Sequence, residues 1–139
     1  MDLFTDAFES SQAEVQARIE QILDAVRTKD FDRLASYHLV GPKFSNFDDV
    51  EPLERQDGQT SMRLEAEQFA GMENFHGRFE DVKIDVFGPV AIMTGILVWD
   101  CTIAGNALSG RTRSTMVFVD KDEQWLITHE HHFPFPISH

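Results

Sequence analysis

Cysteine is nearly absent from this chain. Cys101 stands alone, so no internal disulfide can form, and a reducing compartment fits. Its neighbours Asp100 and Thr102 supply no positive charge that would activate the thiol. Positive charge is scarce as well, with 12 Lys and Arg against 24 Asp and Glu and a net charge of −12. Such a surface repels phosphate backbones and anionic lipids, which argues against nucleic-acid and membrane partners and for simple solubility. No apolar run approaches bilayer-spanning length, and the first residues lack the basic-then-apolar signature of a secretory leader. A cytoplasmic protein is expected. Repeats, low-complexity tracts and linkers are also missing, so residues 1–139 are expected to form one domain. What the chain does have is core material: 42% hydrophobic residues, including twelve phenylalanines.

The first half has helical spacing and the second half alternates. Ser11-Gln-Ala-Glu14 reads as a capping box, followed by Val15, Ile19, Ile22, Leu23 and Val26 on one helical stripe that ends near Thr28. Asp30 caps a shorter helix with Phe31, Leu34 and Tyr37 inward and His38 at its end. A short strand from Lys43 to Phe47 leads into an acidic, irregular loop through Pro52 to Gly58. Asp57 or Thr60 opens a third helix carrying Met62, Phe69, Leu64 and Met72. From Phe79 to Phe87 the alternation predicts a half-exposed strand, and after Gly88-Pro89 the run from Val90 to Ile103 is apolar on both faces and should be central. Helices first and then an antiparallel meander predict an α+β layer fold.

The last hairpin carries the polar chemistry. Arg111 to Val119 and Trp125 to Phe133 read as two antiparallel strands around a polar turn, closed by Pro134. Alternation puts Trp125, Ile127, His129, His131 and Phe133 on one face, and Arg111, Arg113, Thr115, Val117 and Val119 on one face of the partner strand. Arginines and histidines on otherwise apolar strands call for partners or for a polar-lined pocket.

Arg113-x-Thr115, the polar turn, Trp125-x-Ile127-x-His129-x-His131 and Pro134, taken with the element order, resemble the SnoaL-like branch of the nuclear transport factor 2-like superfamily. Within it the motif resembles that of small stand-alone bacterial members and of the association domain of calcium/calmodulin-dependent protein kinase II. The chain departs from the pattern with Asp122-Glu123 where Asp-Gly is usual in the turn, and with Phe133 where many relatives have Ser. The resemblance implies a cone-shaped, cystatin-like fold, with about three helices on a strongly bent, mainly antiparallel sheet and a cavity open at one end. It also implies a homodimer through the outer sheet face. The superfamily spans ketosteroid isomerases, polyketide cyclases, dehydratases, epoxide hydrolases and non-catalytic modules, so the fold alone sets no reaction.

Several constellations compete. His129-Glu-His-His132 is not the helical zinc-protease motif. Two alternate strand histidines would need a third ligand, which only His38, Asp48, Asp49, Asp100 or Glu130 could supply, and Glu130 is expected on the opposite face, so no metal is expected. An acid–base reading makes His131 the proton-transfer residue, held by Asp100 or Tyr37, with Arg113 stabilising a substrate oxyanion. In this reading His129, His38 and Tyr37 assist, and Phe44 and Trp99 line an apolar cavity. Each residue also has a structural reading: Arg113 in a strand ion pair, His38 on helix-end carbonyls, the aromatics as plain core. An Asp–Arg–Asp relay through Asp100, Arg113 and Asp48 or Asp85 has no supporting spacing. Two functions are therefore expected as alternatives. One is a cofactor-independent isomerase, cyclase or dehydratase acting on a small, partly apolar carbonyl compound. The other is a non-catalytic binding or homo-oligomerisation module.

Overall fold

The computed structural model describes residues 2–48 and 50–136. In chain order it has helices α1 (Glu9–Arg27) and α2 (Phe31–Ser36), strand β1 (Ser45–Phe47), helix α3 (Gly58–Ala70), and strands β2 (Glu73–Phe87), β3 (Val90–Ile103), β4 (Asn106–Lys121) and β5 (Gln124–Pro134). The strands form one sheet in the order β1-β5-β4-β3-β2, antiparallel except that β1 runs parallel to β5. Three helices on a bent, mainly antiparallel five-stranded sheet make the cone-shaped α+β fold expected from the sequence.

The core lies between the concave sheet face and the stripe of α1. Val15, Ile19, Ile22, Ala25 and Val26 are buried there against Val86, Ala91, Met93, Met116, Phe118 and Ile127. Burying this many side chains, at about 1.5–3 kcal/mol each for the large aliphatics and aromatics, is what holds helix to sheet. Asp30 and Asp57 cap α2 and α3, their carboxylates accepting from Arg33 N and Thr60 N. The capping box at Ser11 does not form. Helix α1 begins earlier, behind Phe8 at φ 50° with no side-chain cap, and leaves Ser11 within its first turn. The β4–β5 turn needs no glycine, because Asp122 and Glu123 themselves adopt φ 52° and 66°. Two left-handed residues suit the twist of a two-residue hairpin.

One irregularity reverses the expected faces of the last strand. Phe118 pairs with Ile127 and Val117 with His129, so Thr128 is an extra residue, a β-bulge. A one-residue insertion moves every later side chain to the other face. Trp125 and Ile127 point into the core, but beyond the bulge Glu130 and His132 point inward while His129, His131 and Phe133 point outward. On β4 the inward residues are Thr112, Ser114, Met116 and Phe118, all buried, and Arg111 and Arg113 are exposed.

Candidate active site

A cavity of about 320 Å³ opens between α1, α3 and the concave face of the sheet. Its wall is apolar and largely aromatic, with Phe69, Phe75, Phe79, Leu97, Trp99 and Met116. Trp99 is held by its own indole N–H, which donates to Thr112 Oγ1 at 3.3 Å. The opposite wall is polar: Asn46 from β1 and Asp48 just after it, Ser61 and Glu65 from α3, and Glu130 and His132 from β5. His38 lies directly behind Glu130.

Four ionisable side chains from three elements interlock here. His38, only 4% exposed, uses Nδ1–H to donate to the Leu34 carbonyl at 2.9 Å and sets Nε2 3.0 Å from Glu130 Oε2. The other Glu130 oxygen lies 3.2 Å from His132 Nε2, and His132 Nδ1 meets Ser114 Oγ at 2.8 Å. Glu130 is thus a bridge between two imidazoles. Glu65 reaches the group from α3, with Oε2 3.8 Å from His38 Nε2 and a side chain 19% exposed. Unlike Glu130, it makes no short hydrogen bond of its own in the described structure.

The electrostatics follow from burial and pairing. Burial alone would lower the His38 imidazole, but the Glu130 charge and hydrogen bond outweigh it and raise it to about 9. Burial would raise Glu130, yet His38 and His132 hold its carboxyl well below the ordinary range. Glu65 has the opposite balance. Burial and then the Glu130 charge push it up to about 7, against a smaller pull from His38. His132 is raised despite its burial, through its hydrogen bond to Glu130 and that carboxylate's charge. Two carboxyl groups whose proton affinities are pushed apart in one cluster are the equipment that acid–base chemistry uses. Among the described residues lining this cavity there is no Lys or Arg.

Of the residues singled out from the sequence, His38 belongs to this cluster, and Trp99 and Asp48 line the cavity. Phe44 is buried core, edge-on to His38 with ring centres 5.6 Å apart. Tyr37 faces away, its hydroxyl accepting from Arg33 Nε at 2.7 Å and its ring under Arg18 at 4.3 Å. His131 and Arg113 do not enter the cavity: His131 is turned outward by the bulge at Thr128, Arg113 by the ordinary alternation of β4, and on the convex face the two exposed side chains line an open cleft with Thr94, Thr115 and Phe133. Arg113 donates to the Pro134 carbonyl at 3.3 Å and lies over the Phe133 ring at 5.0 Å. His129, opposite Val117 and Ser45, shares a hydrogen bond with Ser45 at 2.8 Å. Asp100 is exposed, 3.6 Å from His76.

Glu130 and His132 are cavity residues that unbroken strand alternation misplaces, and Glu65, on α3, lies outside its reach. Glu65 nevertheless left a signal. It lies between Met62 and Phe69 at spacings of three and four, a charge on the buried stripe of α3.

The bent sheet and its three helices thus enclose a cavity with one apolar wall and an ionisable cluster on the other. Residues 15–138 match the model of the SnoaL-like domain, and the chain belongs to that family. No curated protein matches the sequence. Among solved structures, a candidate dehydratase of the NTF2-like family from Streptomyces avermitilis is similar with TM-score 0.83 and 18% identity, covering 93% of this chain and 99% of that one. An NTF2-like superfamily protein from Salmonella enterica gives TM-score 0.82 at 14% identity, covering 96% of each chain. A candidate calcium/calmodulin-dependent protein kinase II association domain from Xanthomonas campestris gives 0.77 at 17% identity, covering 90% of this chain and 88% of that one. At these identities the likeness is one of fold.

Proposed function

We propose that this protein binds a small, partly apolar carbonyl compound in the inner cavity and isomerises, cyclises or dehydrates it by proton transfer. The observation that carries the reading is the cluster of Glu65, Glu130 and His132, backed by His38, on the polar wall of a cavity whose other wall is apolar. Reactions of this class remove a proton beside a carbonyl group while charge builds on its oxygen, so they need a proton acceptor next to a site that tolerates the oxyanion. Hydrocarbon would lie on Trp99, Phe75 and Phe79, and the oxygen would face the cluster. A cavity of about 320 Å³ suits a small ligand. The candidate dehydratase among the similar structures supports the class.

The test needs no knowledge of the natural substrate. Small cyclic and aryl ketones are incubated with the protein in D₂O, and α-proton exchange is followed by NMR. Exchange above the buffer rate that disappears in a folded Glu130→Gln variant is expected. If every ketone exchanges at the buffer rate, the reading is wrong.

A second reading draws on a different surface. Ile92, Ile96, Val98, Val117 and Val119 form a half-buried apolar band on the convex face, suited to a second copy of the chain. Arg113 and His131 would then border that contact. The association-domain likeness supports it. Light scattering of the wild type and of Ile96→Glu tests it, with a dimer converted to monomer as the expected outcome.

A further inference from the structure

Two carboxylates from different elements converge on one imidazole nitrogen, and the donor atoms of His38, Glu65 and Glu130 all lie within 4.8 Å of one another. We infer that these three residues bind a divalent transition-metal ion through His38 Nε2, Glu130 Oε2 and a Glu65 oxygen, with a coordination position left open to the cavity. The inference deepens the reading above, because such an ion would polarise the oxygen of the bound carbonyl compound.

Spacing, orientation and charge each support it. Donors about 2.1 Å from a common tetrahedral ion lie about 3.4 Å apart. Here His38 Nε2 is 3.0 Å from Glu130 Oε2 and 3.8 Å from Glu65 Oε2, distances that bracket the tetrahedral value, and no two of the three donors are more than 4.8 Å apart, so an inward movement of the Glu65 carboxylate closes the site. The supporting groups are those that metal ligands use. The Nδ1–H of His38 is committed to the Leu34 carbonyl, which leaves Nε2 as the lone-pair nitrogen of the neutral ring. The second Glu130 oxygen is held by His132, which is held in turn by Ser114. Two carboxylates balance a doubly charged ion, and no described Lys or Arg lines the cavity to compete with it. One imidazole and two carboxylates suit zinc, manganese, iron or cobalt rather than a metal preferring sulfur. Three protein ligands with one open position is the arrangement of catalytic rather than structural sites. In the metal-free protein a proton between His38 and Glu130 takes the ion's place.

The test uses the full chain without an affinity tag, stripped with chelator, dialysed and titrated with Co²⁺. The expected result is a visible absorption spectrum that saturates at one equivalent and is abolished by Zn²⁺. Glu65→Gln should weaken Co²⁺ binding at least tenfold while keeping the wild-type circular dichroism, since Glu65 has no short hydrogen bond to lose. His131→Ala, on the convex face, should bind as the wild type does. A spectrum that never saturates, or one unchanged in Glu65→Gln, overturns the inference. Full ketone exchange by chelator-treated protein without a Co²⁺ spectrum overturns the metal site alone. A Co²⁺ spectrum without exchange of any ketone overturns only the proposed reaction.

Discussion

Breaking the His38–Glu130 pair should cost several kcal/mol near neutral pH and little at alkaline pH. Both groups are buried, at 4% and 7% exposure, and removing one partner of a buried pair typically costs about 3–5 kcal/mol. A second route gives a similar figure. The gap between about 9 and the ordinary 6.5 for His38, at about 1.4 kcal/mol per pH unit, corresponds to roughly 3 kcal/mol. Because the folded value is raised, this stabilisation is complete below pH 6.5, declines above it and is gone beyond about 9. Glu130 is shifted the other way, so its share is present above its ordinary 4.5 and disappears below. A double-mutant cycle of His38→Gln and Glu130→Gln by urea denaturation, with chelator present, isolates the pair from His132. The coupling energy should be roughly 3 kcal/mol at pH 6 and under about 0.5 kcal/mol at pH 10. A coupling energy that is small at pH 6, or independent of pH, would refute the reasoning.

Further outcomes follow from the same geometry. Glu65 is raised from 4.5 to about 7, so its ionisation penalises the fold progressively above pH 4.5 and fully above 7. Glu65→Gln should therefore stabilise the protein by about 1–3 kcal/mol at pH 8 and by almost nothing at pH 4.5, as read from melting curves. Ser114→Ala removes the 2.8 Å hydrogen bond to His132 and should cost about 1 kcal/mol in denaturant titrations. Trp99 lines the cavity and Trp125 is buried elsewhere, donating to Glu14. Ligand entry should thus quench a fluorescence component that Trp99→Phe abolishes.

The architecture was legible in the sequence because each local signal agreed with the next. The α1 stripe, the Asp30 and Asp57 caps and the doubly apolar Val90 to Ile103 run all identify elements that packing then retains. The site was less legible, for a specific reason. Alternation propagates a face along a strand only while the pairing is unbroken, and Thr128 breaks it. Nothing in Ile127-Thr-His129 marks an extra residue, since a bulge depends on the partner strand. A comparison of side-chain size on β4 carried a hint. Met116 and Phe118 are larger than Val117 and Val119 and occupy the buried face, which sets Ser114 inside and Arg113 outside. Glu65 was legible in principle as a charge on an apolar helical stripe, and its meaning came only from the two elements that meet it.

Side-chain NMR of the histidines during titration with an exchanging ketone tests the central claim most directly, namely that ligands meet the concave cluster rather than the convex basic strands. The imidazole signals of His38 and His132 should move with the Trp99 indole signal, while those of His129 and His131 stay in place. Movement of His129 and His131 with His38 and His132 unaffected would contradict it.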